Sequence, residues 1–340
     1  MTELRAAVIG LGVGERHVLG YEADPRCKVV ALCDFDENRL SEVGSRYPRC
    51  RVTTDSKDIL MDPAINVVSI ASYDSYHCDQ VVSALQNGKH VFVEKPLCLT
   101  EDELSRIVAA LAGNPSLHLS SNLVLRRSPQ FVEIKRRIER GQMGAIYHME
   151  GEYNYGRIEK ITNGWRGRQS YYSVMHGGGI HLIDLMLWLS ADIVTDVVAI
   201  SNGLSTENTQ FQYDDMVTAL LRFKSGMTAK VAANFGCVVP HHHGVSVHST
   251  KASFIHGIDG GKYYSDRDPA VPPEAFSLQY LTSEKTQVQR SFVAQILDAA
   301  RAEVSVMDVL GVMAVSLAIE RSLKSGAWEQ VAYPELLRVN

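Results

Sequence analysis

Along the first third of the chain, short apolar runs recur between stretches whose apolar positions return every three or four residues. Ala6–Ile9, Val29–Cys33, Val67–Ala71, Val91–Val93 and Leu117–Ser120 read as strands, with helices at Gly14–Tyr21, Glu37–Arg46, Tyr76–Asn87 and Glu101–Leu111 between them. Near-continuous apolar strands separated by helices predict a parallel sheet covered on both faces. From about residue 124 the rhythm changes. A helix over Pro129–Arg140 stops at Gly141, Ala145–Tyr155 alternates as a strand, and a loop over Gly156–Gly179 leads into the apolar helix Ile180–Leu189. Further strands are expected at Val194–Ser201, Met216–Phe223, Met227–Phe235 and Gly244–His248, a surface loop at Asp259–Pro273 and a last helix at Val304–Lys324. The pattern predicts an α/β N-terminal domain over 1–123, followed by an α+β domain over 124–340 on a mostly antiparallel open sheet.

Composition narrows the partners. The 340 residues are 45% hydrophobic and 21% charged, with a formal net charge of -5. That balance is globular and offers no basic stripe for a phosphate backbone, so no nucleic-acid partner is expected. The six cysteines form no CxxC pair, the pattern of reduced, mostly buried thiols. MTELRAAVIG runs directly into a strand without a signal-like apolar region, and Val304–Ile319 contains Asp308 and is short for a bilayer. A cytoplasmic protein without membrane attachment is the expectation.

The sharpest local signal is AAVIGLGVGERH at 6–17. Gly10 suits a tight turn between a strand and a helix, and Gly12 leaves room for a pyrophosphate near the backbone, with Val13 beside it. The third small residue of a GxGxxG motif falls at Glu15, a departure that Gly14, one position earlier, can relieve. This is the signature of a Rossmann-type sheet. The second strand ends at Asp34, placed to accept hydrogen bonds from the adenosine ribose and to repel a 2′-phosphate, which favours NAD as cofactor. The alternative is that Asp34 only starts the loop or caps the next helix, and Arg39 lies within reach of a 2′-phosphate.

The chain resembles the glucose–fructose oxidoreductase, inositol dehydrogenase and rhizopine-catabolism family. The resemblance rests on GLGVGERH at 10–17, SYDSYH at 72–77, EKP at 94–96, SNLVLRRSP at 121–129 and GGGIHLIDLMLWL at 177–189. It implies two domains, a nicotinamide cofactor, a sugar, polyol or sugar-derivative substrate, and a homodimer or homotetramer formed through the second domain's sheet. It further implies that Lys95 and His181 are the catalytic pair, and that Asp184 accompanies the histidine. Asn122 falls near the nicotinamide, while Ser72, His77 and Glu94 lie in cofactor-side segments. Gly177 stands where many polyol-oxidising members carry an aspartate, with His176 just before it.

These residue types suit alcohol oxidation. Histidine exchanges protons near neutrality, and a lysine stabilises negative charge developing on the same oxygen. His181 and Asp184 are three apart on a helix and share a face, so Asp184 either orients His181, binds a substrate hydroxyl or pairs within the fold. The run Gly177–Gly179 is expected to bring the helix entrance close to another group, substrate or nicotinamide among the candidates. Arg166, in the loop NGWRG, can bind a substrate carboxylate, phosphate or sugar oxygens, with Trp165 covering an apolar sugar face; an exposed structural loop is the alternative. Tyr153 and Tyr155 share one strand face. Three consecutive histidines at 241–243 alternate in direction, which argues against a metal site. The expected function is NAD(H)-dependent oxidation or reduction of a sugar or polyol. The alternatives are redox-neutral sugar chemistry with retained NAD, and nucleotide sensing without turnover.

Overall fold

The computed structural model describes residues 3–276 and 286–337. Its first apolar run becomes β1 (Leu4–Ile9), at the middle of a six-stranded sheet. β2 (Cys27–Cys33) and β3 (Arg51–Thr53) lie to one side of β1. β4 (Val67–Ile70), β5 (His90–Val93) and β6 (Leu119–Ser121) lie to the other. The order is β3-β2-β1-β4-β5-β6, and every neighbouring pair is parallel. This is the Rossmann arrangement, with its crevice at the carboxyl ends of β1 and β4 where the strand order reverses. Val8, Val67, Val68, Ile70, Val91 and Phe92 are completely buried; burial of such a side chain is worth roughly 1.5–3 kcal/mol. Helix starts follow local chemistry. Asp36 accepts the Asn38 and Arg39 amides ahead of helix Glu37–Arg46, and Thr100 and Glu103 form a capping box ahead of Glu101–Ala112. β3 escaped the apolar pattern because it is short and none of its residues is buried.

Among the described residues the chain first changes unit between Val124 and Leu125, but 286–313 and 333–337 return to the first unit, leaving 125–276 and 314–332 as the second. The cause is a helix missing from the expected list, Gln287–Asp298, which packs on helix Glu15–Tyr21. Gly20 admits it: a Cβ there would stand 2.7 Å from the Gln289 Cβ. Phe292 meets Phe92 at 5.8 Å between ring centroids, and Arg26 bridges to Asp298 at 2.7 Å. Further along, the Ser120 hydroxyl donates to the Val304 carbonyl at 2.8 Å.

The second unit is built on nine strands. β7 (Ile146–Asn154), β8 (Val194–Asn202), β9 (Met216–Phe223), β10 (Thr228–Asn234) and β11 (His242–Ser249) match the alternating runs. β12 (Ser253–Gly257), β13 (Gly260–Tyr264), β14 (Glu274–Phe276) and β15 (Glu329–Gln330) were hidden in the sequence. The order is β14-β13-β12-β11-β7-β10-β9-β8-β15; β7 and β10 are parallel and the other pairs antiparallel. The expected loop Asp259–Pro273 therefore contains β13, whose inward positions Gly261 and Tyr263 are a bare glycine and a tyrosine, too short an alternation to stand out. One sheet face buries Val217, Ala219, Leu221, Ala229 and Val231. Helix Ile180–Ser190 lies against β7, where a Cβ on Gly151 would come within 2.8 Å of the Met186 methyl. The opposite face leaves Ile200, Leu220 and Ile255 exposed. Among the described residues no helix is long and apolar enough to cross a membrane, and all six cysteines are free thiols.

Candidate functional site

The first unit builds its share of the site at the β1 turn. Gly10 adopts a left-handed φ of +88°, and its amide donates to the Cys33 carbonyl at 2.8 Å. A Cβ on Gly10 would drive into the Ala71 carbonyl, and one on Gly14 would strike the Gly10 carbonyl and stand 2.8 Å from the Val8 side chain. Gly14 therefore does the close-packing work that Glu15 cannot. Gly12 differs: a Cβ there would meet nothing within 4 Å. Val13 beside it is half exposed.

Asp34 is buried at the end of β2. One carboxylate oxygen accepts the Leu11 amide at 2.7 Å and the other the Asp36 amide at 3.0 Å, so it braces the glycine turn. The helix cap is Asp36, which removes the capping alternative for Asp34. Each Asp34 oxygen retains a further lone pair for a ribose hydroxyl.

The EKP segment follows β5, and its Lys95–Pro96 bond is cis. Glu94 accepts from Asn122 Nδ2 at 2.6 Å and pairs with His17 Nε2 at 3.1 Å, while His17 Nδ1 meets the Ser69 hydroxyl at 2.8 Å. Burial would raise the Glu94 pKa, but the hydrogen bond and charge of His17, with Lys95 adding to them, hold it below the ordinary carboxylate value. His17 and Ser69 were not singled out from the sequence; the only signal was the terminal His of GLGVGERH. Lys95 itself is half-buried.

The remaining cofactor-side candidates have mixed fates. The Ser72 hydroxyl donates to Gln80 at 2.7 Å. His77 is wholly buried, its Nδ1 2.7 Å from the Pro96 carbonyl and its Nε2 3.2 Å from the Ser72 carbonyl. It ties the 72–77 loop to EKP. Among the described residues the Asn122 Oδ1 is buried without a donor. Open space at Gly12, the anchored carboxylate of Asp34 and this waiting acceptor fit a nicotinamide dinucleotide.

In the second unit a π-helical turn, Met175–Gly179, leads directly into helix Ile180–Ser190. The sequence suggested an open loop there. Each of the three glycines is filled by the protein itself. A Cβ on Gly177 would collide with the Tyr172 hydroxyl, one on Gly178 with the Tyr153 ring, and one on Gly179 with the Met175 sulfur, all closer than 3.0 Å. The close groups are thus protein side chains, which corrects the expectation of substrate or nicotinamide.

His181 is partly exposed, and its ring stacks against Tyr153 at 6.3 Å with 19° between planes. Tyr153 also meets Phe235, His241 and His243 at 5.1–5.6 Å. Burial, first, and then the Tyr155 phenol raise the Tyr153 pKa, against the lowering pull of Arg166 and Arg157. Arg166, partly exposed, lies with its guanidinium 4.6 Å from the Trp165 ring. His176 turns into a buried hydroxyl network, its Nδ1 2.7 Å from Ser316 Oγ and its amide donating to Ser173 Oγ at 3.1 Å.

Asp184 has no solvent exposure, and both its oxygens accept from Arg126 at 2.6–3.0 Å. The pairing alternative therefore describes it. Arg126 lies 58 positions upstream, beyond any local motif. Breaking such a buried pair costs roughly 3–5 kcal/mol. In the histidine run, His241 and His243 face Tyr153, whereas the His242 ring lies 3.3 Å from the Asn154 side chain. Burial, then the charge of Arg157, lowers the His241 pKa. Among the described residues no group of three His, Cys, Asp or Glu could hold a metal ion.

Comparison with known proteins gives a consistent picture. Residues 4–120 match the model described as "Oxidoreductase family, NAD-binding Rossmann fold", and 131–255 match "GFO/IDH/MocA C-terminal domain". The scyllo-inositol 2-dehydrogenase (NAD(+)) of Bacillus subtilis is 28% identical over 265 residues, 75% of this chain and 74% of that protein. In fold, the chain is similar to a levoglucosan dehydrogenase solved in complex with NADH, at TM-score 0.87 and 21% identity, covering 98% of this chain and 100% of that one. It is also similar to the myo-inositol 2-dehydrogenase of Lactobacillus plantarum, at TM-score 0.82 and 20% identity, covering 97% and 100%.

Proposed function

For a chain that belongs to the GFO/IDH/MocA oxidoreductase family, we propose the activity of an NAD-dependent dehydrogenase acting on a hydroxyl or keto group of a sugar, polyol or sugar derivative. The observation that carries this reading is the presence, in one chain, of the open glycine turn with its anchored Asp34 and of a stacked, partly exposed His181. Bound NAD supplies a hydride acceptor. His181 takes the proton of the reacting hydroxyl through its imidazole, and Lys95 donates a hydrogen bond that stabilises negative charge developing on the oxygen. Glu94 and Asn122 orient the cofactor-side segment, and Arg166 on Trp165 offers donors to substrate oxygens or to an anionic substituent. Asp184 supports His181 indirectly, by clamping its helix to Arg126.

Asp34 favours NAD over NADP. Its carboxylate is fixed by two backbone amides and cannot turn away from a 2′-phosphate without leaving them. The exposed Ile200, Leu220 and Ile255 support a homodimer or homotetramer formed through the open sheet face. Incubation of the purified protein with NAD and, separately, myo-inositol, scyllo-inositol and levoglucosan tests the activity. Stoichiometric NADH supports the reading. Altered sugar without net NADH would indicate redox-neutral chemistry, and tight NAD binding with no turnover of any compound would indicate a sensor.

A further inference from the structure

We propose that His17 is a positioning residue for the nicotinamide end of the cofactor. It holds the Glu94 carboxylate turned so that Oε2 is the acceptor for the amino group of the nicotinamide carboxamide. This rests on the reading of the first unit as an NAD site and concerns which group of that cofactor it recognises.

His17 is buried in the first turn of helix Glu15–Tyr21. Its ring packs against Phe92 at 5.3 Å with 83° between planes, Nδ1 lies 2.8 Å from the Ser69 hydroxyl, and Nε2 lies 3.1 Å from Glu94 Oε1. A carboxylate has no hydrogen to give, so Nε2 must carry the one between them. In the neutral imidazole Nδ1 then accepts from Ser69, which selects this tautomer.

Asn122 Nδ2 reaches the same carboxylate oxygen, at 2.6 Å. Among the described residues both donors to the Glu94 side chain thus take Oε1. None takes Oε2, which is not buried. With one oxygen pinned by two donors the carboxylate has little freedom to turn, and the other oxygen keeps its lone pairs for a donor from outside. Burial favours the neutral acid, but the hydrogen bond and charge of His17, with Lys95 and Asn122, overcome it. Glu94 therefore accepts and does not donate.

The sheet order indicates which part of a dinucleotide meets this oxygen. Asp34 follows β2 and Glu94 follows β5, with β1 and β4 between those strands. At about 4.8 Å per strand the two residues are set roughly 14 Å apart across the sheet. The open Gly12 follows β1 between them. A ribose at Asp34 and a pyrophosphate at Gly12 leave the nicotinamide end for Glu94. The positive ring of NAD makes its carboxamide a strong donor to an anion, a charge-assisted hydrogen bond.

The test is calorimetry on the full-length protein with three ligands. They are NAD, acetylpyridine adenine dinucleotide, in which a methyl replaces the carboxamide amino group, and ADP-ribose, which lacks nicotinamide. The wild type should bind NAD about tenfold more tightly than the acetylpyridine form, the effect of one hydrogen bond to a charged group. His17→Asn keeps an amide for Ser69 but is too short for Glu94, and should bring the two dinucleotides within about twofold of each other. His17→Gln, long enough to donate to Glu94, should restore most of the preference. ADP-ribose should bind the wild type and both variants alike. If the His17 variants do not fold, Glu94→Gln gives the answer: the donors at Oε1 keep its carbonyl oxygen there and turn its amino group outward, which should abolish the preference. A wild type that does not discriminate, a preference unchanged in His17→Asn or Glu94→Gln, or ADP-ribose weakened as much as NAD by His17→Asn overturns the proposal. A wild type that binds neither NAD nor ADP-ribose overturns the NAD reading itself, and this inference with it.

Discussion

In the first unit a Cβ on Gly12 would meet nothing within 4 Å, whereas in the second a Cβ on Gly177, Gly178 or Gly179 would strike Tyr172, Tyr153 or Met175. Both clusters open a helical segment, and in sequence both read as places where a ligand approaches the backbone. Only the first keeps its space. In the second, the space is filled by aromatic rings and a thioether, and one of those rings, Tyr153, stacks on His181. A glycine run thus announces a close approach without saying what approaches, and that answer lies in residues remote in sequence or, for Tyr172, on a turn whose fold the sequence did not reveal.

The comparison can be broken most forcefully at His181, the residue the filled cluster supports. His181→Ala should lower kcat by about 10²–10⁴-fold, the usual worth of acid–base assistance. NAD affinity, measured by calorimetry, should be unchanged because the β1 turn is untouched. An undiminished single-turnover rate would leave the filled cluster with a packing role alone.

Gly178→Ala probes the filling itself. The added methyl would lie 2.9 Å from the Phe235 ring and closer to Tyr153, so overpacking should cost roughly 1–3 kcal/mol. Thermal melting would show this as a lowered midpoint, and a midpoint equal to that of the wild type would mean the rings yield easily.

The open cluster makes the opposite prediction. Gly12→Ala should leave stability within about 0.5 kcal/mol and weaken NAD binding about tenfold, or 1.4 kcal/mol. Gly14→Ala, two residues on, should destabilise the fold through its clash with the Gly10 carbonyl. Equal effects of the two substitutions on melting would erase the distinction between open and filled glycines.

A last expected effect lies away from both clusters and tests the first unit's frame. His90 and His118 stack at 5.2 Å, and burial, followed by the charge of His118, lowers the His90 pKa to about 4. Burial lowers that of His118 as well. The unfolded chain, with ordinary imidazoles near 6.5, takes up protons first as pH falls. The neutral pair's contribution is therefore complete above about 6.5 and is lost progressively toward about 4. The melting midpoint should drop across that window, and His90→Asn should flatten the drop.

Much of this fold was legible because strand and helix periods are local. The β1 turn, Asp34, EKP and the His181 helix all stood out on spacing alone or with the resemblance. What stayed hidden depends on partners far along the chain: Ser69 for His17, Arg126 for Asp184, and Gly20 as the seat of helix Gln287–Asp298. β12–β14 were missed for a different reason. They are short strands, and in β13 one of the two inward positions is a glycine, so their alternation is faint.

The late helix that seats on Gly20 also imposes an order of events during synthesis. The ribosome delivers the six parallel strands first, yet the surface around Gly20 and Phe92 remains uncovered until Gln287–Asp298 has emerged. At about 5–20 residues per second, that delay is on the order of ten seconds or more. Through that interval the nascent first unit carries an apolar face awaiting its own distant segment, a natural point for a chaperone to engage the growing chain.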